Sequence, residues 1–155
     1  MNYGFPILSF IIWLPIVGAF LVLASSRFAP SISKSIALLV SIISFIISIP
    51  LYLNFDFTTS KMQFLESYLW IDSLNVFYSL GIDGISLPLI LLTTFLTPLV
   101  ILAGWEVVKY RPSQYYASFL ILEGLMVGVF SALDGLLFYV FWEAMLIPMF
   151  IIIGI

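Results

Sequence analysis

The chain has 155 residues, of which 63% are hydrophobic and only 8% are charged. A water-soluble domain cannot bury so large an apolar fraction, so the composition predicts an integral membrane protein. The 155 residues include no cysteine and no histidine. They therefore cannot form disulfides, ligate iron–sulfur clusters, hold haem through histidine or build the usual zinc sites. A net charge of −3 argues against nucleic acid as a partner.

Long apolar runs predict five membrane-spanning helices, because each run can cross a hydrocarbon core about 30 Å thick. The predicted spans cover residues 5–25, 32–53, 85–108, 115–132 and 135–155. The first run does not match a cleavable signal peptide, since no lysine or arginine precedes it. The predicted fold class is therefore an all-α integral membrane bundle, with residues 1–155 forming a single membrane domain.

Residues 54–84 form the only long segment between predicted spans. Two aromatic, β-favouring stretches, 64–71 and 76–80, flank turn-forming residues at 72–75. This pattern predicts a β-hairpin between helices 2 and 3, lying at the membrane surface with Trp70 at the headgroup level. A plain interfacial loop is the alternative. We expect an exposed edge of the hairpin to contact a neighbouring subunit.

Small and polar residues inside the spans are expected to serve helix packing. Serines of the second span are expected to pack or to bond backbone groups, and threonines near Pro98 to bond groups that this proline frees. Gly124 and Gly128 have the spacing that lets another helix approach closely. The residues concerned are Ser41, Ser44, Ser48, Thr93, Thr94 and Thr97.

Basic residues are distributed unequally between the two ends of the predicted spans. Four of them follow spans one and three, whereas the other side carries only Lys61. The four are Arg27, Lys34, Lys109 and Arg111. The positive-inside rule therefore predicts that the amino terminus and the hairpin lie outside, in the periplasm if the membrane is bacterial.

Glu143 is the only charged residue between Gly135 and Ile155. An ionisable group at that depth costs at least ~2.5–3.5 kcal/mol, so it indicates a proton or ion pathway. Pro148 removes a backbone donor and predicts a kink near Ala144. The alternative is a hydrogen-bonded acid that joins helices.

Glu123 is a second acidic residue inside a predicted span. It lies eleven residues before Asp134, and Glu143 lies nine after it, which puts them ~16 and ~14 Å from the turn and close to the midplane. If they face each other, at most one ionises without a nearby cation. No lysine or arginine lies at that depth in the spans, so a partner lysine comes from further residues or another subunit, or else the acids stay mostly neutral. Structural and proton-transfer roles for Glu123 stay equally open.

Two stretches resemble a known family. They are Gly81-Ile82-Asp83-Gly84-Ile85-Ser86 and the segment from Asp134 to Met149, which contains Phe-Trp-Glu-Ala-Met-Leu-Ile-Pro. They resemble subunit M of the proton-pumping NADH:quinone oxidoreductases of bacteria (respiratory complex I), an antiporter-like membrane-arm subunit. This sequence is similar to its amino-terminal third.

The resemblance implies that Glu143 transfers protons in partnership with a lysine on a later helix. It also implies that other membrane-arm subunits, lipid and protons are the partners, and that NADH, flavin, iron–sulfur clusters and quinone bind elsewhere in the complex. A bacterial plasma membrane is the implied location. Two alternatives remain: a subunit of a cation/proton antiporter or membrane-bound hydrogenase, and a non-transporting membrane scaffold.

Overall fold

Apolar helices cross the molecule in the order that the sequence predicts. The computed structural model describes residues 6–154. Five helical segments within them are long and apolar enough to span a membrane, which confirms the predicted fold class. The helices are α1 (Ile7–Ser25), α2 (Pro30–Leu53), α3 (Ser86–Ala103), α4 (Pro112–Ser131), α5 (Gly135–Ala144) and α6 (Leu146–Gly154). The helices α5 and α6 together make the fifth span.

Within the described residues, three helix ends differ from the predicted limits by two residues or more, and two others differ by one residue. The helices α2 and α4 begin two and three residues early, at Pro30 and Pro112, because proline fits the first turn of a helix. The helix α3 ends at Ala103 rather than Val108, and its carboxyl end is followed by a turn. The predicted limits at residues 5 and 155 lie outside the described residues.

The predicted hairpin is present between α2 and α3. Its strands are β1 (Gln63–Ile71) and β2 (Val76–Ile82), paired antiparallel with Tyr68 opposite Tyr78. The connection is a short 3₁₀ turn that ends at Asn75, whose φ of 53° is a left-handed conformation that asparagine tolerates. Turn chemistry in the sequence therefore located the hairpin correctly.

The turn between α4 and α5 extends the hairpin sheet. Leu80 of β2 forms an antiparallel bridge with Ala132, and the Leu133 amide donates to the Ser79 carbonyl at 2.9 Å. The outer edge of β2 is therefore occupied by the chain's own turn. Of the two hairpin edges, this leaves the edge of β1 for the neighbour that the sequence predicts.

The helix α4 is the centre of the bundle. It contacts all the other described helices, and its packing produces two buried apolar clusters. One cluster lies toward the hairpin and joins α1 and α4 to strand residues such as Leu80 and Ile82. The other lies toward the opposite end and includes Val22, Ile101 and Leu120.

The two glycines of α4 receive two different helices. A Cβ at Gly124 would overlap the Ile12 carbonyl oxygen of α1, and a Cβ at Gly128 would lie 2.9 Å from the Phe141 ring of α5. The predicted close approach is therefore confirmed, with a different helix at each glycine.

Hydroxyl groups in the spans bond mainly to the backbone, as predicted. Serines 41, 44 and 48 each donate to a carbonyl three or four residues back, and Ser48 also bonds the Thr94 hydroxyl of α3 at 2.9 Å. The predicted role of the threonines around Pro98 is wrong. They donate to carbonyls of residues 89, 90, 91 and 93, whereas the carbonyl that Pro98 leaves without its helical donor belongs to Thr94.

Candidate functional site

Glu143 lies where the fifth span breaks. The helix α5 ends at Ala144, Met145 forms a turn, and α6 begins at Leu146. Pro148 has no N–H to donate to the Ala144 carbonyl, which accounts for the break. The Met145 amide still donates to the Phe141 carbonyl at 3.2 Å, so the span continues as a kinked helix. The predicted kink is confirmed.

The side chain of Glu143 is exposed on the face of the fifth span that points away from the other helices. Leu137, Phe141 and Pro148 are the buried residues among those described in this span. Two residues along a helix correspond to a rotation of about 200°, so Glu143 lies almost opposite Phe141. Trp142 beside it is 50% exposed. The carboxyl group therefore faces space that the described helices leave open.

Glu123 has the opposite environment. It is 2% exposed and lies on the buried face of α4, in one stripe with Tyr116, Leu120 and Val127. Leu120 belongs to one apolar cluster and Val127 to the other, so Glu123 lies between the two. Within residues 6–154, neither carboxyl oxygen of Glu123 has a hydrogen-bond partner.

The two acids therefore lie at similar positions along their spans but in different surroundings, because Glu123 is buried and Glu143 is exposed. Glu123 lies in the middle of α4, and Glu143 lies near the middle of the fifth span. The described structure contains no hydrogen bond between them, because both oxygens of Glu123 lack a partner there. Glu123 is therefore a buried carboxyl group inside the bundle, and Glu143 is an exposed carboxyl group on its outer face.

Glu66 has a structural position that sequence analysis did not identify. It lies on β1, is 8% exposed, and its carboxylate accepts from the Leu8 amide at 2.9 Å and the Ser9 amide at 3.2 Å. The Ser9 hydroxyl donates to it as well. These amides belong to the first turn of α1, where N–H groups lack helical partners and favour negative charge. Glu66 therefore caps α1 from the hairpin.

Tyr78 extends this contact between the hairpin and α1. Its hydroxyl lies 3.0 Å from the Ser9 hydroxyl and accepts from the Trp13 indole N–H at 3.0 Å. Burial raises the pKa of the Tyr78 phenol above its usual value. The phenol is therefore neutral at ordinary pH and keeps its O–H for hydrogen bonding.

Asp134 joins the hairpin to the helix that carries Glu143. Its Oδ1 accepts from the Leu136 amide at 2.9 Å and the Leu137 amide at 3.3 Å, which caps α5. Its Oδ2 accepts from the Phe77 amide of β2 at 3.4 Å. The sequence signal for the cap is the aspartate directly before a helical apolar run.

Asp83 has a structural role in the stretch from Gly81 to Ser86, one of the two stretches that resemble the family. Its Oδ1 accepts from the Ser86 amide at 2.8 Å, while its own amide donates to the Ser86 hydroxyl at 2.9 Å. This reciprocal pair is a capping box at the start of α3. The amide hydrogen bond from Ser86 lowers the pKa of the Asp83 carboxyl. This stretch therefore begins a helix.

Together these features define a multi-pass helical membrane protein with two acids inside its spans and a hairpin fastened to helix ends. Residues 7–131 match the family model described as "NADH-ubiquinone oxidoreductase chain 4, amino terminus". The chain belongs to this family, because the match covers most of its length. The matched region contains the hairpin and Glu123 and ends before Asp134. The resemblance drawn from the sequence is confirmed.

Relatives with similar sequences come from plants, bacteria and archaea. The chain is 46% identical over 148 residues to NADH-ubiquinone oxidoreductase chain 4 of Arabidopsis thaliana, covering 96% of this chain and 30% of that protein. It is 46% identical over 153 residues to NADH-quinone oxidoreductase subunit M of Rhodobacter capsulatus (96% and 29%). It is 38% identical over 150 residues to F(420)H(2) dehydrogenase subunit M of Methanosarcina mazei (97% and 30%). The chain thus spans about three tenths of these relatives.

Proposed function

We propose that this chain is the amino-terminal part of an antiporter-like subunit that moves protons in an NADH:quinone oxidoreductase. The observation that carries the proposal is the placement of Glu143, an acid at mid-span beside a proline-broken turn, on an open helix face. Broken turns leave backbone groups free, and acids in such positions are typical of proton relays.

Glu143 is the principal proton-transfer residue in this proposal. Its carboxyl group takes up and releases a proton, and the open face receives the rest of the subunit, including a cationic partner such as a lysine. Glu123 is a second proton-transfer residue in the interior of the bundle. Its burial without hydrogen bonds supports a role other than joining helices.

The redox chemistry belongs to other subunits of the proposed complex. This chain contains no cysteine or histidine to bind clusters or haem. NADH, flavin, iron–sulfur clusters and quinone are therefore assigned to partner subunits, and this chain contributes proton movement as part of a translocase. The family model and the two relatives at 46% identity are named for NADH oxidoreductases, which supports NADH as the electron donor.

The proposed orientation places the hairpin and the amino terminus on the periplasmic side of the membrane, with a bacterial plasma membrane as the location. The hairpin side carries Lys61 as its one basic residue among several acids, whereas the other end of the bundle carries four basic residues. This distribution supports the orientation through the positive-inside rule. Lys34 is held there by its bond to the Trp105 carbonyl.

Replacing Glu143 tests the proposal in the complete subunit within its assembled complex. Glu143→Gln keeps volume and hydrogen bonding but removes the titrating proton, so we expect most proton uptake per NADH oxidised to be lost in proteoliposomes. Glu143→Asp keeps the carboxyl group and should retain part of the activity. The corresponding Glu123→Gln change should have a milder effect.

The matched control is Glu106→Gln, which removes an exposed carboxylate from the turn between α3 and α4. It should pump like the parent. If assembled Glu143→Gln also pumps like the parent, Glu143 has a structural role and the result favours the scaffold alternative.

A further inference from the structure

We infer that the hairpin is a bracket that sets the positions of the two helices beside the intramembrane acids, with Glu66 and Asp134 as positioning residues. The hairpin bracket consists of β1, β2 and the carboxylates of Glu66 and Asp134. This inference rests on the proposed function, because it assigns the bracket a role in proton movement.

The first arm of the bracket reaches Glu123 through α1. Glu66 holds the amides of Leu8 and Ser9 in the first turn of α1. One turn further, about 5.4 Å along the axis, the Ile12 carbonyl contacts α4 at Gly124. Gly124 directly follows Glu123, so a displacement of α1 acts on the backbone beside the buried acid.

The second arm reaches Glu143 through α5. Asp134 uses one carboxylate oxygen to cap α5 and the other to accept from Phe77 of β2. The neighbouring bonds of Ala132 and Leu133 to β2 hold the same turn. Glu143 lies nine residues after Asp134, within α5, so the rotation of α5 at the hairpin sets the direction of its carboxyl group.

The backbone of β1 is strained at the point where the first arm begins. Gln63 pairs with Ile82 and Glu66 pairs with Leu80, so β1 has one more residue than β2 between these pairs and forms a bulge. Phe64 lies in this bulge and has a φ of 56°. A positive φ is costly for a bulky side chain and persists only where the surrounding structure enforces it. Bulges redirect side chains, and here the bulge accompanies Glu66 pointing at α1 rather than outward.

Replacing Asp134 by asparagine distinguishes a role of this residue in capping α5 from a role in the hairpin bracket. Asp134→Asn keeps an oxygen that can cap α5, but its amide nitrogen cannot accept from Phe77. Asp134→Ala removes both bonds. If Asp134 acts through the bracket, both variants lose proton uptake per NADH oxidised in assembled complexes. If it is only a helix cap, asparagine restores the parent value and the inference fails.

Glu66→Gln tests the other arm with a readout independent of activity. One charged acceptor is lost, so the Leu8 and Ser9 amides should exchange with deuterium about 10-fold faster in the assembled complex. Proton uptake per NADH should fall as well. Unchanged exchange, or faster exchange with parental proton uptake, overturns the inference for this arm.

Asp72→Asn is the matched control, because it removes a carboxylate from the exposed hairpin turn. It should behave like the parent in both measurements. Glu143→Gln, measured in parallel, separates the two ideas. If that variant pumps normally, the proposed function fails. If it stops pumping while the Glu66 and Asp134 variants pump normally, only the bracket fails.

Discussion

Burial distinguishes the two intramembrane acids. Glu123 is enclosed between two apolar clusters without a hydrogen-bond donor in the described residues, whereas Glu143 is exposed beside a helix break. An acid that joins helices needs donors or acceptors on its neighbours. The described surroundings of Glu123 provide no such partner, so its carboxyl group does not stabilise the packing of the described helices.

Replacement of Glu123 by leucine should therefore not weaken the fold. A buried polar group without partners costs stability, and apolar residues of similar volume are often neutral or stabilising. We expect Glu123→Leu to change the free energy of unfolding of the complete subunit by no more than about 1 kcal/mol in the destabilising direction. Detergent-titration unfolding measures this. A loss of several kcal/mol would mean that Glu123 has a bonded partner beyond the described residues.

Helix contacts at the element scale depend on two glycines of α4. Gly124 meets the backbone of α1, which cannot rotate away, whereas Gly128 meets the ring of Phe141. The contact at Gly124 is therefore the more restrictive, and it fixes the separation of the two helices that pack most extensively.

Alanine at position 124 should separate α1 from α4. The added methyl group overlaps the Ile12 carbonyl, so we expect Gly124→Ala to lower the free energy of unfolding by about 1–3 kcal/mol. Gly135→Ala is the control, because nothing lies within 4 Å of the added atom there. Detergent-titration unfolding of both variants checks the difference. Equal stability of the two would show that α1 does not pack on Gly124 in the complete subunit.

The two ends of the molecule carry opposite kinds of charged residue. The segment 54–84, which contains the hairpin and the acids Asp56, Glu66, Asp72 and Asp83, lies at the end where α1, α3 and α5 begin. The four basic residues lie at the other end. Several hairpin-side acids bond helix amino termini, which favour negative charge. Helix capping and membrane orientation thus act in the same direction.

Cysteine labelling tests the orientation. Cysteines introduced at Lys61 and Lys109, one at a time in a complete subunit freed of other cysteines, should react with a membrane-impermeant reagent from opposite sides. The residue at position 61 should label from outside, because the positive-inside rule places the four basic residues inside. Labelling of both from one side would contradict the five-span topology.

The sequence alone was sufficient for features that depend on local chemistry. Span number follows from the length of apolar runs, the hairpin from turn residues around Asn75, and the kink from the missing N–H of Pro148. The positions of Glu123 and Glu143 near the middle of their spans follow from their distance from Asp134. Each of these properties is determined within about one helix or one hairpin.

Only the tertiary structure decided which surfaces are covered. The spans are apolar on all sides, so periodicity does not mark the face that packs, and it could not show that Glu123 is enclosed while Glu143 is open. Glu66 meets Leu8 across 58 residues of chain, and no local signal predicts that pairing. Such contacts exist because folding brings distant helix ends to the hairpin, where unpaired amides require acceptors.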